Sequence, residues 1–353
     1  MKPWKRGIRN VEPYVPGEQP KDINVIKLNT NENPYPPSSL VKAVMQDLDF
    51  DKMRLYPDPA ATQLVGGIAR AYGLDSSQVF VGVGSDDVLA MAFQTFFNNE
   101  EPILFPDITY SFYDVWAQLF RIPYRQVPLD DSFRIRPVDY MPAPGEKNGG
   151  IIFPNPNAPT GVCESLETIE EIIAGNPDCV VIVDEAYVDF GAQSALPLIE
   201  KYDNLLVVQT FSKSRSMAGM RIGYAMGNPE LISYLNDVKY SFNSYTMSRA
   251  AIGAGAAAIA DQAYFESACA KIIATRERVK GELSDLGFTF PDSKANFLFI
   301  THPVWKAREL FEALKEARIY VRYFDKPRID NYLRVTIGTD AQMDALLDFL
   351  RKY

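Results

Sequence analysis

Short apolar runs alternate with longer amphipathic stretches between about residues 30 and 240. The runs rich in β-branched and aromatic residues are QVFVGVG, PILFP, GIIFPNP, VVIVDEAY, LLVVQTFSK and RIGYAMG. Continuous apolar runs of this length are typical of a parallel sheet that is covered on both faces. Helical periodicity separates them, as in DDVLAMAFQTFF and ESLETIEEIIAG. The pattern predicts a large α/β domain over residues 30–240, with a mostly parallel sheet and a ligand at the carboxyl ends of its strands.

The pattern changes from about residue 241. A long helical stretch, rich in Ala, Glu, Lys and Arg, runs from about Met247 to Leu286. Strand signals follow in ANFLFITH, IYVRYF and YLRVTIG, with amphipathic helices in VWKARELFEALKEA and AQMDALLDFLRKY. These elements predict a smaller α+β domain over residues 241–353. Residues 1–29 are irregular and rich in proline, which predicts an arm that docks on the rest of the protein.

Composition excludes several classes of protein. The 353 residues suit two domains, and the net charge of −9 argues against a nucleic-acid partner. The three cysteines are widely spaced, which suggests neither a disulfide framework nor a zinc site. The longest uncharged small-residue run is too short to cross a bilayer, and the N-terminus has no signal-peptide core. We therefore expect a cytoplasmic protein that does not bind membranes.

One lysine follows an apolar strand in TFSKSRSMAGMRIGY, residues 210–224. A lysine at a buried strand end is costly unless it is paired or neutralised, and a Schiff base with an aldehyde is one way to hold it there. Around Lys213, the side chains of Thr210, Ser212 and Arg221 offer donors for a phosphate. Taken alone, the segment fits a surface turn with a solvated lysine equally well.

Two more strand ends carry candidate groups. Asp184 ends the apolar run VIVD, and Tyr187 follows three residues later. A carboxylate buried there needs a cation, and the protonated ring nitrogen of pyridoxal phosphate is one; a structural salt bridge is the alternative. Asn157 lies in the proline-rich turn NPNAPTG, where its amide could face the phenolate oxygen of the same ring.

The segment VGVGSDD, residues 81–87, leads from a strand through a glycine turn into a helix. Ser85 or Asp86 is a candidate N-cap, and the free amides of a helix N-terminus bind phosphate readily. Because Asp86 and Asp87 would repel a phosphate, we expect the backbone amides to bind it and at least one carboxylate to point away.

Together these segments resemble the pyridoxal-phosphate enzymes of the aspartate-aminotransferase fold, called fold type I, over nearly the whole chain. The resemblance implies that Lys213 forms the Schiff base with the cofactor, that Asp184 pairs with its ring nitrogen, and that Tyr110 stacks on its ring. Tyr187 and Asn157 are implied to contact the ring oxygen. The residues implied to surround the phosphate are Ser85, Asp86, Thr210, Ser212 and Arg221. Tyr56, in RLYPDP, is implied to reach the phosphate in the other subunit of a homodimer.

Within that fold, LNTNENPYPPS (28–38), RLYPDP (54–59), VDEAYVDF (183–190) and VRYFDKPRIDNYLRVTIGT (321–339) are similar to the histidinol-phosphate aminotransferases. The similarity implies that Arg334, helped by Arg322, holds the substrate's phosphate, and that Tyr14 in the arm folds over the substrate. It also implies a ping-pong exchange of the amino group between histidinol phosphate and 2-oxoglutarate. His302 is expected to have no catalytic role.

The chain departs from the common pattern at Asp87, at Ala158 and in SRSM (214–217), positions that bear on side-chain preference. Three alternatives therefore stay open. The first is an aromatic-amino-acid aminotransferase, and the second is an amino-acid-phosphate decarboxylase of the same fold. The third is a cofactor-sensing regulator joined to a DNA reader, against which the acidic charge and the lack of an N-terminal helix-turn-helix both argue.

Overall fold

A seven-stranded β-sheet forms the centre of the protein, in a computed structural model that describes residues 2–22 and 24–353. The strands along the chain are β1 (Ile26–Lys27), β2 (Val79–Gly82), β3 (Ile103–Pro106), β4 (Tyr124–Val127), β5 (Gly150–Pro154), β6 (Val181–Asp184), β7 (Leu205–Thr210), β8 (Gly223–Gly227), β9 (Phe297–Ile300), β10 (Ile319–Tyr320), β11 (Arg322–Tyr323) and β12 (Leu333–Thr336). The central sheet has the order β2-β8-β7-β6-β5-β3-β4.

The prediction of a mostly parallel sheet is confirmed. Strands β4, β3, β5, β6 and β7 are parallel, and only β8 runs against its neighbours β7 and β2. All six predicted apolar runs are strands of this sheet. The edge strand β4 was not predicted, because its sequence YRQV is mostly polar and exposed. An edge strand needs no continuous apolar run, since one of its sides has no neighbouring strand to cover it.

Helices cover both faces of the sheet. They are α1 (Ser39–Gln46), α2 (Thr62–Tyr72), α3 (Ser85–Phe96), α4 (Tyr113–Phe120), α5 (Leu166–Ala174), α6 (Pro229–Phe242), α7 (Arg249–Ala260), α8 (Gln262–Asp285), α9 (Ala307–Glu316) and α10 (Asp340–Leu350). Alternate strand residues enter two separate apolar clusters. Ile151 belongs to the cluster that also contains residues of α2, α5 and α7, whereas Ile152 belongs to the one that contains residues of α3, α4 and α6. This alternation follows from the two-residue period of a strand and explains the continuous apolar runs.

A smaller unit is built on the antiparallel sheet β11-β12-β9, with α8, α9 and α10 around its apolar cluster. The end of the predicted arm belongs to this unit, because β1 pairs with β10 and Leu28 lies in the cluster. The run IYVRYF divides at Val321 between two sheets. Ile319 in β10 pairs with Ile26, and Arg322 in β11 pairs with Arg334.

The long predicted helix over 247–286 is two helices in the structure. Asp261 separates α7 from α8, and its carboxylate accepts a hydrogen bond from the Tyr264 amide as the N-cap of α8. Helix α7 packs against α1 and α2, so its buried residues belong to the apolar cluster of the large unit. The buried residues of α8, by contrast, belong to the apolar cluster of the smaller unit.

All three cysteines are free, and the described residues include no group of three His, Cys, Asp or Glu side chains that would hold a metal ion. In the part of the chain that the structure describes, no helix is both long enough and apolar enough to span a bilayer.

Arg276 in α8 should contribute strongly to stability. It is 2% exposed, and its Nη1 donates to the carbonyl oxygens of Phe190 at 2.8 Å and Ala295 at 2.9 Å. We expect Arg276→Ala to lower the free energy of unfolding by about 3–5 kcal/mol in urea denaturation, because it leaves two buried acceptors unpaired and a cavity. Arg278→Ala, on the exposed face of the same helix, should cost about 1 kcal/mol or less. Equal losses would contradict this assignment.

Candidate active site

Three parallel strands end together at one edge of the central sheet. Pro154 in β5 lies opposite Asp184 in β6, and Asp184 lies opposite Val208 in β7. The turns that follow these strands therefore meet in space, although about 30 residues of chain separate one from the next. This register brings together the predicted groups on NPNAPTG, VDEAY and TFSK.

Two adjoining cavities lie at this edge. The first, which we call the sheet-edge cavity, has a volume of about 130 Å³ and is lined by Ser85, Asp86, Tyr110, Pro154, Ala158, Asp184, Ala186, Tyr187, Thr210, Ser212, Lys213, Ala218 and Arg221. The second, the arginine cavity, has about 150 Å³ and is lined by Tyr14, Gly17, Asn29, Thr30, Asn31, Thr109, Tyr110, Ser111, Ala158, Pro159, Tyr187, Lys213, Arg322, Phe324 and Arg334. A larger cleft of about 540 Å³ along β4 contains none of the predicted site residues.

Lys213 lies between the two cavities and lines both. Its Nζ donates to the carbonyl oxygen of Thr30 at 3.2 Å and lies 5.9 Å from the centroid of the Tyr187 ring. Asn33 fixes the backbone here, because its Nδ2 donates to the carbonyl oxygens of Lys213 at 2.9 Å and Ser214 at 3.2 Å. A solvated surface turn is therefore excluded for this lysine.

Asp184 is a buried carboxylate, 4% exposed, in the wall of the sheet-edge cavity. It accepts hydrogen bonds from the Tyr113 hydroxyl at 2.9 Å and from the Ala186 amide at 3.2 Å. Burial raises the pKa of Asp184 to about 6, although both hydrogen bonds lower it. No Lys, Arg or His among the described residues forms an ion pair with it, so the structural salt bridge considered from the sequence is absent there. The cavity wall thus offers a carboxylate that would stabilise a ligand cation.

The next residue, Glu185, faces away from both cavities. It is 1% exposed and accepts hydrogen bonds from Ser194 Oγ, the Ala195 amide and Gln209 Nε2 at 2.6–2.7 Å. Burial raises its pKa to about 7. Its contacts tie β6 to β7 and to the loop after β6, so Glu185 supports the strand ends that carry the site.

The glycine turn before α3 differs from the prediction in its N-cap. Helix α3 begins at Ser85, and Gly84 at φ 87° is the N-cap, so neither Ser85 nor Asp86 caps the helix. The left-handed backbone at this position favours glycine. The Asp87 carboxylate turns back and accepts from the Val83 amide at 2.8 Å, which agrees with the expectation that one carboxylate points away.

The other carboxylate of this turn faces the cavity. Asp86 forms an ion pair with Arg221 at 3.0 Å and accepts from the Tyr110 hydroxyl at 2.8 Å. At the same end of the cavity, two glycines allow neighbouring atoms to approach closely. A Cβ on Gly223 would lie 2.2 Å from the Ser85 amide nitrogen, and one on Gly84 would lie 2.5 Å from Arg221 Nη2. Hydroxyl, amide and guanidinium donors therefore line a narrow end that suits an anion.

Asn157 is buried at 6% exposure but lines neither cavity. Its Nδ2 donates to the Ile108 carbonyl oxygen and to Thr160 Oγ1, both at 3.0 Å, and its Oδ1 has no partner among the described residues. In this conformation both amide hydrogens are used within the protein. Contact of Asn157 with a ring oxygen stays a prediction.

Arg322 and Arg334 lie directly opposite each other on β11 and β12. Arg334 Nη2 donates to the Asn29 carbonyl oxygen at 3.1 Å, and its Nε has no partner among the described residues. Burial lowers the pKa of Arg334, and the nearby Arg322 lowers it further. Within the described chain, neither arginine pairs with a carboxylate. Like charges opposite each other destabilise a sheet, so this pair provides a site for an anionic ligand.

The arm closes the outer side of the arginine cavity. Tyr14 stacks on Phe112 with ring centroids 4.2 Å apart and lies 6.5 Å from the Tyr110 ring. The carbonyl oxygens of Val15 and Pro16 accept from Arg322 at 3.4 Å each. The structure thus places Tyr14 with the predicted substrate arginines.

Two predicted residues lie outside the cavities. Tyr56 is 78% exposed and stacks on Tyr245 at 4.5 Å. His302, expected to have no catalytic role, stacks on Trp305 at 4.1 Å in the small unit. The sequence analysis did not predict two contacts at the site: Tyr113 donates to Asp184, and the asparagines of LNTNENP, considered there only as a family motif, contact Tyr187 and the Lys213 backbone. The three asparagines within LNTNENP were the sequence feature that could have indicated these contacts.

Comparison with known proteins agrees with this geometry. The sequence pattern described as aminotransferase class I and II matches residues 23–350. The chain belongs to this aminotransferase family. Two curated relatives are each named histidinol-phosphate aminotransferase. The one from Acinetobacter baylyi is 53% identical over 100% of this chain and 98% of its own. The one from Lactococcus lactis is 50% identical over 99% of this chain and 97% of its own. Within the class, the chain thus belongs with the histidinol-phosphate aminotransferases.

The solved structures confirm the predicted fold. The histidinol-phosphate aminotransferase from Sinorhizobium meliloti, solved in complex with pyridoxal-5'-phosphate, has a TM-score of 0.84 at 24% identity, covering 93% of this chain and 91% of that one. An aspartate aminotransferase from Thermus thermophilus has a TM-score of 0.78 at 19% identity, over 93% of this chain and 96% of that one. The aspartate-aminotransferase-like architecture is therefore shared.

Asp184 should destabilise the ligand-free protein in a pH-dependent way. Its folded pKa of about 6 lies above the ordinary 3.8, so the carboxyl is neutral in both states only well below pH 3.8. Stability is lost as pH rises from there through 6, by at most about 3 kcal/mol. We expect Asp184→Asn to be more stable than the wild type at pH 8 and to lose most of this advantage at pH 4, in urea unfolding. The exposed control Asp178→Asn should change little at either pH. A difference independent of pH would refute this.

Proposed function

We propose that the protein is a pyridoxal-phosphate-dependent aminotransferase that exchanges an amino group between histidinol phosphate and 2-oxoglutarate, as a step of histidine biosynthesis. The observation that carries the proposal is the position of Lys213. Lys213 lies between two cavities. The sheet-edge cavity has the Asp184 carboxylate and an anion-binding end, and the arginine cavity has Arg322 and Arg334 opposite each other. One cavity suits the cofactor, the other suits an anionic substrate, and the amine lies within reach of both.

The residues of the sheet-edge cavity fit pyridoxal phosphate. Asp184, buried without a cation among the described residues, would pair with the protonated ring nitrogen, and Tyr187 would contact the ring oxygen. Tyr110 would stack on the ring. The groups that would hold the phosphate are Ser85, the backbone amide of Asp86, Thr210, Ser212 and Arg221, which also neutralises the Asp86 carboxylate. When bound, the cofactor supplies an electron sink for the bond that is broken at the substrate's α-carbon.

Lys213 has two tasks in this proposal. Its Nζ would attach the cofactor and, when the substrate's amino group has displaced it, would be placed to carry the proton to and from the substrate carbon. The Thr30 carbonyl oxygen and the Tyr187 ring keep Nζ between the cavities for this second task. Tyr14 and the arm exclude water from the outer side, which strengthens the electrostatic contacts inside.

The substrate's phosphate would bind Arg322 and Arg334. Two guanidinium groups suit a dianion, whereas a single carboxylate needs only one. Arg334 is buried and keeps its Nε free among the described residues, and Arg322 lies opposite it at the arm. The pair therefore supports a phosphorylated amine over phenylalanine, whose anion is one carboxylate.

A substrate panel with the purified, cofactor-loaded protein tests the proposal. Histidinol phosphate, phenylalanine and threonine phosphate would each be offered with 2-oxoglutarate, while glutamate and CO₂ are measured. We expect the highest kcat/KM for histidinol phosphate. A clear preference for phenylalanine would establish the aromatic alternative. Release of CO₂ without consumption of 2-oxoglutarate would establish the decarboxylase.

Arg322 should discriminate between substrates. We expect Arg322→Ala to raise KM for histidinol phosphate about 100-fold, because a charge-assisted contact with the dianion is lost. The KM for phenylalanine should change only a few-fold, since Arg334 still holds a carboxylate. Arg318→Ala, an exposed neighbour whose partner is Asp22, serves as the control and should leave both constants unchanged. Equal losses for both substrates would refute phosphate binding by Arg322.

The proposal includes a cytoplasmic homodimer in which Tyr56 reaches the phosphate of the partner's cofactor. Phe50, Tyr56 and Phe242 are 81%, 78% and 70% exposed, and a partner subunit would cover such large apolar side chains. Tyr56 lies outside both cavities of its own chain, which agrees with use in the partner's site. Free cysteines suit a reducing compartment.

Mixed dimers test this role of Tyr56. Lys213→Ala should be inactive and lack visible cofactor absorbance, and Tyr56→Phe should be impaired. If the tyrosine serves the partner's site, each mixed dimer of these two variants has one intact site. Denaturing and refolding the variants together should then restore about a quarter of wild-type activity by random pairing. No gain over the separate variants, or a fully active monomer in sedimentation, would contradict the proposal.

A further inference from the structure

Asn31 is held in an uncommon backbone conformation between the two units. Its φ is 56°, in the left-handed region, and it is 1% exposed. Thr336 Oγ1 accepts from the Asn31 amide at 2.9 Å and donates to Asn31 Oδ1 at 3.0 Å. Asn296 Nδ2 donates to the Asn31 carbonyl oxygen at 3.0 Å. Asparagine tolerates this backbone conformation better than most residues, and these contacts fix both its backbone and its side chain.

These contacts determine which way the Asn31 side chain points. Because Oδ1 accepts from Thr336, Nδ2 is left for the other side, where it donates to the Tyr187 hydroxyl oxygen at 2.9 Å. The Tyr187 oxygen is thus an acceptor in this contact, and its own proton is free to donate elsewhere. Among the described residues, none accepts that proton. Tyr187 lines both cavities, so its proton is available to a ligand.

We propose that Asn31 is a positioning residue that directs the Tyr187 hydroxyl proton to the ring oxygen of the cofactor. The inference rests on the proposed function, because it requires pyridoxal phosphate in the sheet-edge cavity. Asn31 does not itself touch the reacting atoms. It acts by occupying the acceptor side of the phenol and by keeping it from donating to the protein.

A hydrogen bond accepted by the phenol oxygen makes its proton a stronger donor. A stronger donor to the ring oxygen draws off negative charge that would otherwise hold a proton on the nitrogen linking Lys213 to the cofactor. Asn31 therefore lowers the pH at which that linkage gains its proton. The titratable and charged groups that surround Tyr187 are Lys213, Tyr110, Tyr113 and Arg334, and the Asn31 side chain forms no hydrogen bond with any of them.

The contact also connects the substrate side to the cofactor side. Thr336 and Arg334 lie two residues apart on β12 and so face the same side of the strand. Arg334 holds the substrate's anion in the proposed function, and Thr336 fixes Asn31. One strand of the small unit thus supports both the substrate site and the tyrosine of the cofactor site.

The test is the pH titration of the visible absorbance of the cofactor-loaded protein. Asn31→Gly removes the side chain and tolerates the left-handed backbone. We expect the midpoint of the titration to rise by about 0.5 unit, the size of a weakened hydrogen bond. Asn204→Ala is the matched control, because its Nδ2 donates to the carbonyl oxygens of Asn176 and Cys179, outside both cavities, and it should leave the midpoint unchanged.

A double-mutant cycle separates this role from a merely structural one. Tyr187→Phe should raise the midpoint by itself, and Asn31→Gly should add nothing in that background. A shift of equal size in both backgrounds, or no shift in the wild-type background, would overturn the proposal. If Asn31→Gly does not fold, Thr336→Val tests the same contact and should shift the midpoint in the same direction only when Tyr187 is present. Absence of a visible band in the wild type would instead refute the proposed function.

Discussion

The burial of the Asp184 carboxylate at the end of β6 is the constraint on which the rest of the site depends. Two hydrogen bonds hold it, yet burial still raises its pKa to about 6. Such a group costs stability in the empty protein and is stabilised only when a cation binds beside it. The parallel register of β5, β6 and β7 then places Lys213 and the anion-binding turn around the same cavity.

A second cost in stability arises in the arginine cavity, where Arg322 and Arg334 face each other across paired strands. Burial and mutual repulsion lower the pKa of Arg334, and no carboxylate in the described chain relieves the repulsion. The two cavities beside Lys213 therefore hold charge of opposite sign, the Asp184 carboxylate in one and the two guanidinium groups in the other. This arrangement favours the ligand-bound protein over the empty one. The same charges that would bind the ligands lower the stability of the empty protein.

Most of the fold was predictable because the buried strands have a local pattern. The six apolar runs became strands, since each is covered on both faces by helices. The failures have local reasons: β4 is a polar edge strand, and Asp261 ends one helical pattern by capping the next helix. The residues on strand ends, including Lys213, Asp184 and Tyr187, were also predictable. Their types are costly when buried, and a family resemblance joined them into one site.

The sequence by itself therefore determined where most strands and helices lie along the chain. It also identified the charged residues that lie at the ends of the strands. Only the tertiary structure decided what each of them contacts. Asn31 meets Tyr187 across 156 residues of chain, and Thr336 meets Asn31 across 305. Gly84 rather than a polar side chain caps α3, and the amide of Asn157 bonds within its own turn and to Ile108. No local pattern encodes such contacts, because they arise from packing segments that are neighbours in space and distant in sequence.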